Sequence, residues 1–96
     1  DFVKTIGRLY YQRRDNKDLS YKMTAHFLDH VRTKFNITTS KLDENFEQRL
    51  AWKSGYDLKA IQDIVYQMKY LRDQPIVDDD ELLEFQGKLD QFYKHV

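Results

Sequence analysis

Residues 17–36 read KDLSYKMTAHFLDHVRTKFN, and the spacing of their apolar side chains decides the fold. Leu19, Met23, Phe27, Val31 and Phe35 recur at intervals of four, flanked by Ala25 and Leu28. That is one face of an amphipathic helix, and it predicts a helix over residues 17–36. It is the strongest periodic signal in the chain.

Upstream, Phe2, Ile6 and Leu9 repeat at the same spacing, with Val3 and Tyr10 widening the stripe, so residues 2–14 read as a first helix. Gly7 interrupts it at a cost of about 0.5–1 kcal/mol, which points to close approach of a neighbouring helix. Asp15 and Asn16 end this helix, and either can cap the next by accepting a free backbone N–H.

Downstream, Ile37-Thr38-Thr39-Ser40 is β-branched and polar, a connection with room for a short extended piece. Ser40-Lys41-Leu42-Asp43 resembles a capping box, which would open a third helix over 43–54 with Leu42, Phe46 and Leu50 inward. Gly55 stops it. Asp57 caps a fourth helix carrying Leu58, Ile61, Ile64, Val65, Met68 and Leu71, which Pro75 bars from continuing past Arg72 or Asp73. Asp78 and Glu81 are spaced as a second capping box, followed by Leu82, Phe85, Leu89, Phe92 and Val96 on one face of a fifth helix. The expectation is an all-α, compact bundle of about five helices forming one domain over residues 1–96. The third and fourth helices are candidates for a helix-turn-helix-like pair, through Ala51, Gly55 and Ile61.

Composition supports a folded body. Of 96 residues, 41% are hydrophobic and 15% aromatic, with three glycines and one proline, which suits a core rather than disorder. No cysteine is present, which excludes disulfides, thiolate zinc sites and cysteine nucleophiles. No apolar run approaches the ~18–20 residues of a membrane span. A start at Asp1, with neither Met nor a signal segment, reads as a piece excised from a longer protein. The net charge of zero hides an asymmetry: residues 1–41 hold nine Lys or Arg against four acids, net +5, and residues 42–96 hold seven against twelve, net −5.

Several constellations bear on chemistry. His26 and His30 lie one helical turn apart, a spacing that can hold zinc, but Phe27 stands where a metalloprotease helix needs its Glu general base and no third ligand is spelled out. Asp78 to Glu81 lacks the glycine and alternating ligands of a calcium loop, so charge at a helix N-terminus accounts for it better. No phosphate loop, nucleophile elbow or paired carboxylates in an apolar setting are present. These absences predict a protein that is not an enzyme and uses no cofactor. Nucleic-acid binding through the fourth helix is disfavoured because it lies in the acidic half and would repel phosphates. Tyr11, Arg13, Arg14 and Lys17 mix aromatic and basic groups and form the candidate interaction surface, suited to anionic lipid or a protein partner.

The residues FVKTIGRLYYQ (2–11 and Gln12), DNKDL (15–19), FLDHVR (27–32), Leu42-Asp43-Glu44-x-Phe46 and Lys53-Ser54-Gly55 resemble the C-terminal domain of a bacterial membrane-protein family of unknown function. In that family an amidotransferase-like region is followed by a transmembrane helix and a small helical tail. The resemblance covers nearly the whole chain and carries no catalytic residues. It implies a tail on the cytoplasmic side of the inner membrane, its basic half near anionic lipid. By gene neighbourhood it implies a link to a MoxR ATPase and von Willebrand A assembly system. The expected function is therefore a non-enzymatic protein-interaction or scaffold domain. The alternatives are a helix-turn-helix nucleic-acid binder and a metal-binding domain using His26 and His30.

Overall fold

A computed structural model describes residues 15–96 as four helices: α1 (Asn16–Phe35), α2 (Glu44–Ser54), α3 (Leu58–Asp73) and α4 (Asp79–His95). These are the second to fifth helices predicted from the sequence, while the one expected over 2–14 lies outside the described residues. Among the described residues there is no strand, so the extended piece allowed at 37–40 does not form.

Each helix starts where a side chain can take an orphan N–H. Asp15 Oδ1 accepts from Asp18 N at 3.2 Å, Asp57 Oδ2 from Ala60 N at 3.0 Å, and Asp78 Oδ1 from Glu81 N at 2.8 Å. The Glu81 carboxylate accepts from Asp78 N at 3.1 Å, completing the capping box and absorbing part of the acidic run. The capping box expected at Ser40 is displaced. Asp43 is itself the cap, accepting from Phe46 N at 3.0 Å, and Ser40 Oγ lies 3.2 Å from Thr38 Oγ1. Asp43 wins because an ionised acceptor beside the helix N-terminus is favoured by the dipole as well as by the hydrogen bond.

The ends are equally specified. Asn36 takes a left-handed conformation (φ 55°) after α1, and Gly55 does so (φ 74°) after α2, where its N–H bonds Ala51 O at 2.9 Å. Glycine takes this conformation without the steric cost that a β-carbon brings.

Leu19, Met23, Phe27 and Val31 of α1 are buried against Ile61, Ile64, Val65, Met68 and Leu71 of α3 and Leu82, Phe85, Leu89 and Phe92 of α4, with α2 adding Phe46 and Leu50. Helix α3 packs on all three others. Among the described residues, two that are buried in the core come from connections rather than helices, Ile37 and Val77. Leu58, expected inward, is partly exposed because it opens α3 at the bundle's edge.

Direction follows from the contacts. Asn16 at the start of α1 bonds Asp79 at the start of α4, and Phe27 and Phe35, further along α1, both meet Phe92 near the end of α4, so α1 and α4 run parallel. The short connection at 74–78 returns α4 antiparallel to α3, with Ala60 and Asp63 opposite Lys88 and Gln91.

Candidate interaction surfaces

Of the four residues singled out as an interaction surface, Tyr11, Arg13 and Arg14 lie outside the described residues. Lys17 is placed in a structural role. Its ammonium donates to the carbonyls of Leu71 at 2.7 Å, Arg72 at 2.6 Å and Gln74 at 2.6 Å, closing the C-terminus of α3 where the helix dipole is negative. Two further lysines donate to backbone carbonyls: Lys53 to Phe35 O at the end of α1 (3.0 Å), and Lys69 to Leu42 O in the connection before α2 (2.7 Å). Such an ammonium with three donors can satisfy several carbonyls that a helix end leaves orphaned.

Lys17 also borders a groove of about 240 Å³ between α1 and α3, lined by Ser20, Tyr21, Thr24, Leu42, Met68 and Lys69. Its walls are largely apolar and its rim is cationic, through Lys17, Lys69 and Arg72.

The histidine pair faces an aromatic ring of α4. His26 and His30 set their rings edge-on to Tyr93, with centroids 5.9 Å and 5.2 Å away. His95 lies elsewhere, against Tyr56 at 5.1 Å. Among the described residues no group of three or more His, Cys, Asp or Glu side chains is arranged to hold a metal ion. What the pair does build is an aromatic seam between α1 and α4, continued by Phe27, Phe35 and Phe92. Two polar atoms in it, His30 Nε2 and Tyr93 Oη, are buried without a hydrogen-bond partner.

Burial depresses the His30 pKa, with Lys34 and His26 adding to the effect and Asp29 opposing it, while burial and then Asp90 push the Tyr93 phenol up. A folded-state pKa below the ordinary 6.5 means that the folded protein binds fewer protons than the unfolded chain. His30 thus contributes stability that is present above 6.5 and is lost as pH falls through the lowered folded value. Urea unfolding at successive pH values should show stability declining below 6.5, and His30→Gln should flatten that decline. Parallel slopes for the two proteins would show that His30 is not its source.

The outer side of α3 carries a different arrangement. Tyr66 and Tyr70 stack at 6.4 Å with rings 17° apart, yet stay 70% and 41% exposed. The Glu81 carboxylate, by hydrogen bond and then by charge, raises the pKa of the exposed Tyr70. Sequence periodicity missed this pair because Tyr66 and Tyr70 sit off the buried stripe, although their spacing of four on a confident helix was a usable signal. Trp52 on α2 is 84% exposed. Among the described residues no helix is long and apolar enough to cross a membrane.

The architecture defines a small all-helical domain whose helix ends are closed by aspartates and lysines. By sequence, the chain belongs to the family described as the DUF4350 C-terminal helical domain, matched over residues 3–96. No curated protein and no solved structure matches it. The family assignment agrees with the coarser part of the sequence resemblance, a helical domain of unknown function.

Proposed function

We propose that the domain is a non-enzymatic protein-interaction or scaffold module, carried on the cytoplasmic side of a bacterial inner-membrane protein. Its docking face is the outer side of α3 with the adjoining edge of α4. The observation that carries this reading is the stacked, exposed Tyr66–Tyr70 pair. Stacked aromatics left in water are costly unless something covers them, and tyrosine is enriched where partners bind. The surrounding half of the chain is acidic, net −5 over residues 42–96. An arginine- or lysine-bearing partner segment would meet both the ring faces and the carboxylates.

Recovery of a partner by the immobilised domain tests the reading. Tyr66→Ala with Tyr70→Ala should abolish recovery, while Trp52→Ala should leave it intact. Equal loss in both would remove α3 as the docking face. The membrane part of the reading rests on the basic N-terminal half and the family resemblance, and extends to the MoxR and von Willebrand A assembly link. Co-sedimentation checks it: equal binding to neutral and anionic vesicles would remove lipid proximity.

The nucleic-acid alternative is favoured only by the turn between α2 and α3, where left-handed Gly55 brings the two helices together. Electrostatics count against it, because Asp63 and Asp73 share α3 with its bases and Lys69 is already tied to Leu42 O. A gel shift at low salt separates it from the leading reading.

A further inference from the structure

We infer that the outer face of α2, with Trp52 exposed among lysines and arginines from α1, α2 and the connection between them, is the surface by which the domain rests on an anionic bilayer. The inference deepens the membrane part of the proposed function and rests on it. It leaves the Tyr66–Tyr70 face to a protein partner.

Trp52 is the chain's single tryptophan, and it stands 84% exposed. Helical spacing puts Asn45, Arg49 and Trp52 on one side of α2, turned away from the buried Leu50. From there the indole adds nothing to the core.

Five bases gather at the same edge of the domain. Lys34 and Lys53 meet at Phe35, the first with its ammonium 5.9 Å from the ring centroid and the second donating to the carbonyl at 3.0 Å. Arg32 donates to Thr39 Oγ1 at 3.1 Å, in the connection that leads to α2. Lys41 and Arg49 line one hollow of about 190 Å³ with Thr38, Ser40 and Asn45. All five are exposed. The neighbouring acids are already engaged: Asp29 pairs with Arg32 at 2.8 Å, Asp43 caps α2 through Phe46 N, and Glu44 accepts from Gln48 at 3.2 Å. Glu47, on another side of α2, senses Lys69 of α3. The charge this edge shows to a large partner is therefore positive.

Tryptophan is enriched at the membrane–water boundary, where an apolar ring with one polar N–H sits at headgroup level, and lysine and arginine are drawn to anionic lipid. The arrangement favours lipid over nucleic acid. Single strands are held by successive aromatic platforms along a basic groove, whereas Trp52 forms no ring pair among the described residues.

With one tryptophan in the chain, its fluorescence reports on this face alone. The full chain is mixed with vesicles of phosphatidylcholine alone and with vesicles of phosphatidylcholine and phosphatidylglycerol in equal parts. The anionic vesicles should move Trp52 emission to the blue and shield it from acrylamide, and the neutral ones should do neither. Lys41→Ala with Arg49→Ala should weaken co-sedimentation with anionic vesicles on the order of tenfold or more, since each base near such a surface accounts for about fivefold. Tyr66→Ala with Tyr70→Ala should leave it unchanged. Because Lys41 and Arg49 are exposed, their replacement should keep the helical circular dichroism. Binding to anionic vesicles with Trp52 emission unshifted would overturn the inference while the membrane reading stands, and no binding even at low salt would overturn both. A larger shift on a single-stranded oligonucleotide than on the anionic vesicles would assign the face to nucleic acid and overturn the inference as well.

Discussion

Phe27→Ala is expected to destabilise the domain by about 3–5 kcal/mol, the cost of losing a buried aromatic and leaving a cavity. Phe27 is wholly buried. Its ring meets Phe92 edge-on at 5.2 Å and 72°, and Tyr93 at 6.3 Å, so it is the point at which α1 is locked to α4. Aromatic pairs of this geometry add about 0.5–1.5 kcal/mol beyond simple burial. A domain of this size has roughly 5–10 kcal/mol of stability, so half or more of the margin would go. At about 4–8 °C per kcal/mol, the thermal midpoint read by circular dichroism should fall by on the order of 20 °C. Trp52→Ala is the matched control. Trp52 is larger but 84% exposed, and its removal should shift stability by no more than about 0.5 kcal/mol. Comparable losses in the two variants would mean that the α1–α4 seam is not where the core is held.

Phe27 also shows why the bundle was legible in the sequence. Its place in the 19-23-27-31 series is a matter of helical period alone, and the buried faces of α3 and α4 obey the same rule. Boundaries were legible where one residue type has a single plausible role: Gly55 in the left-handed region, Pro75 beyond α3, Asp57 and Asp78 as caps. The start of α2 was not, because Ser40 and Asp43 are both competent caps and only the path of the connection selects Asp43. Ile37 and Val77 were invisible as core residues for a related reason. They lie in connections, where no periodicity exists, and tertiary packing alone buries them.

Side-chain roles were far less legible than helices. The spacing of His26 and His30 is correct for one helical face, and the sequence could not say that Tyr93, some sixty residues away, is what both rings meet. By composition Lys17 belongs with Tyr11, Arg13 and Arg14. Its three acceptors are backbone carbonyls of α3 and the residue that caps it, and carbonyls have no sequence signature. Part of the positive charge of the first half is therefore spent on closing a helix end, which leaves less of it for lipid or a partner than the formal +5 suggests.

Lys17→Met is expected to cost about 2 kcal/mol, because hydrogen bonds to a charged group contribute roughly 1.5–3 kcal/mol and the carbonyls of Leu71, Arg72 and Gln74 lose a shared donor. Methionine keeps most of the apolar stem along the groove, so the loss isolates the ammonium. Water can reach part of the site, since the Arg72 carbonyl contact is exposed, and this keeps the cost below that of three buried orphan groups. Lys17→Arg should recover only some of it, because a planar guanidinium cannot converge on three carbonyls as a compact ammonium does. Amide exchange localises the effect: protection should fall at the last turn of α3 and around the Gln74–Val77 connection, with the α2 amides little changed. An interaction residue would behave otherwise. If Lys17→Met left unfolding by urea unaltered and weakened only binding to vesicles or to a recovered partner, the clamp would be incidental and Lys17 would belong with Tyr11, Arg13 and Arg14 as a contact surface.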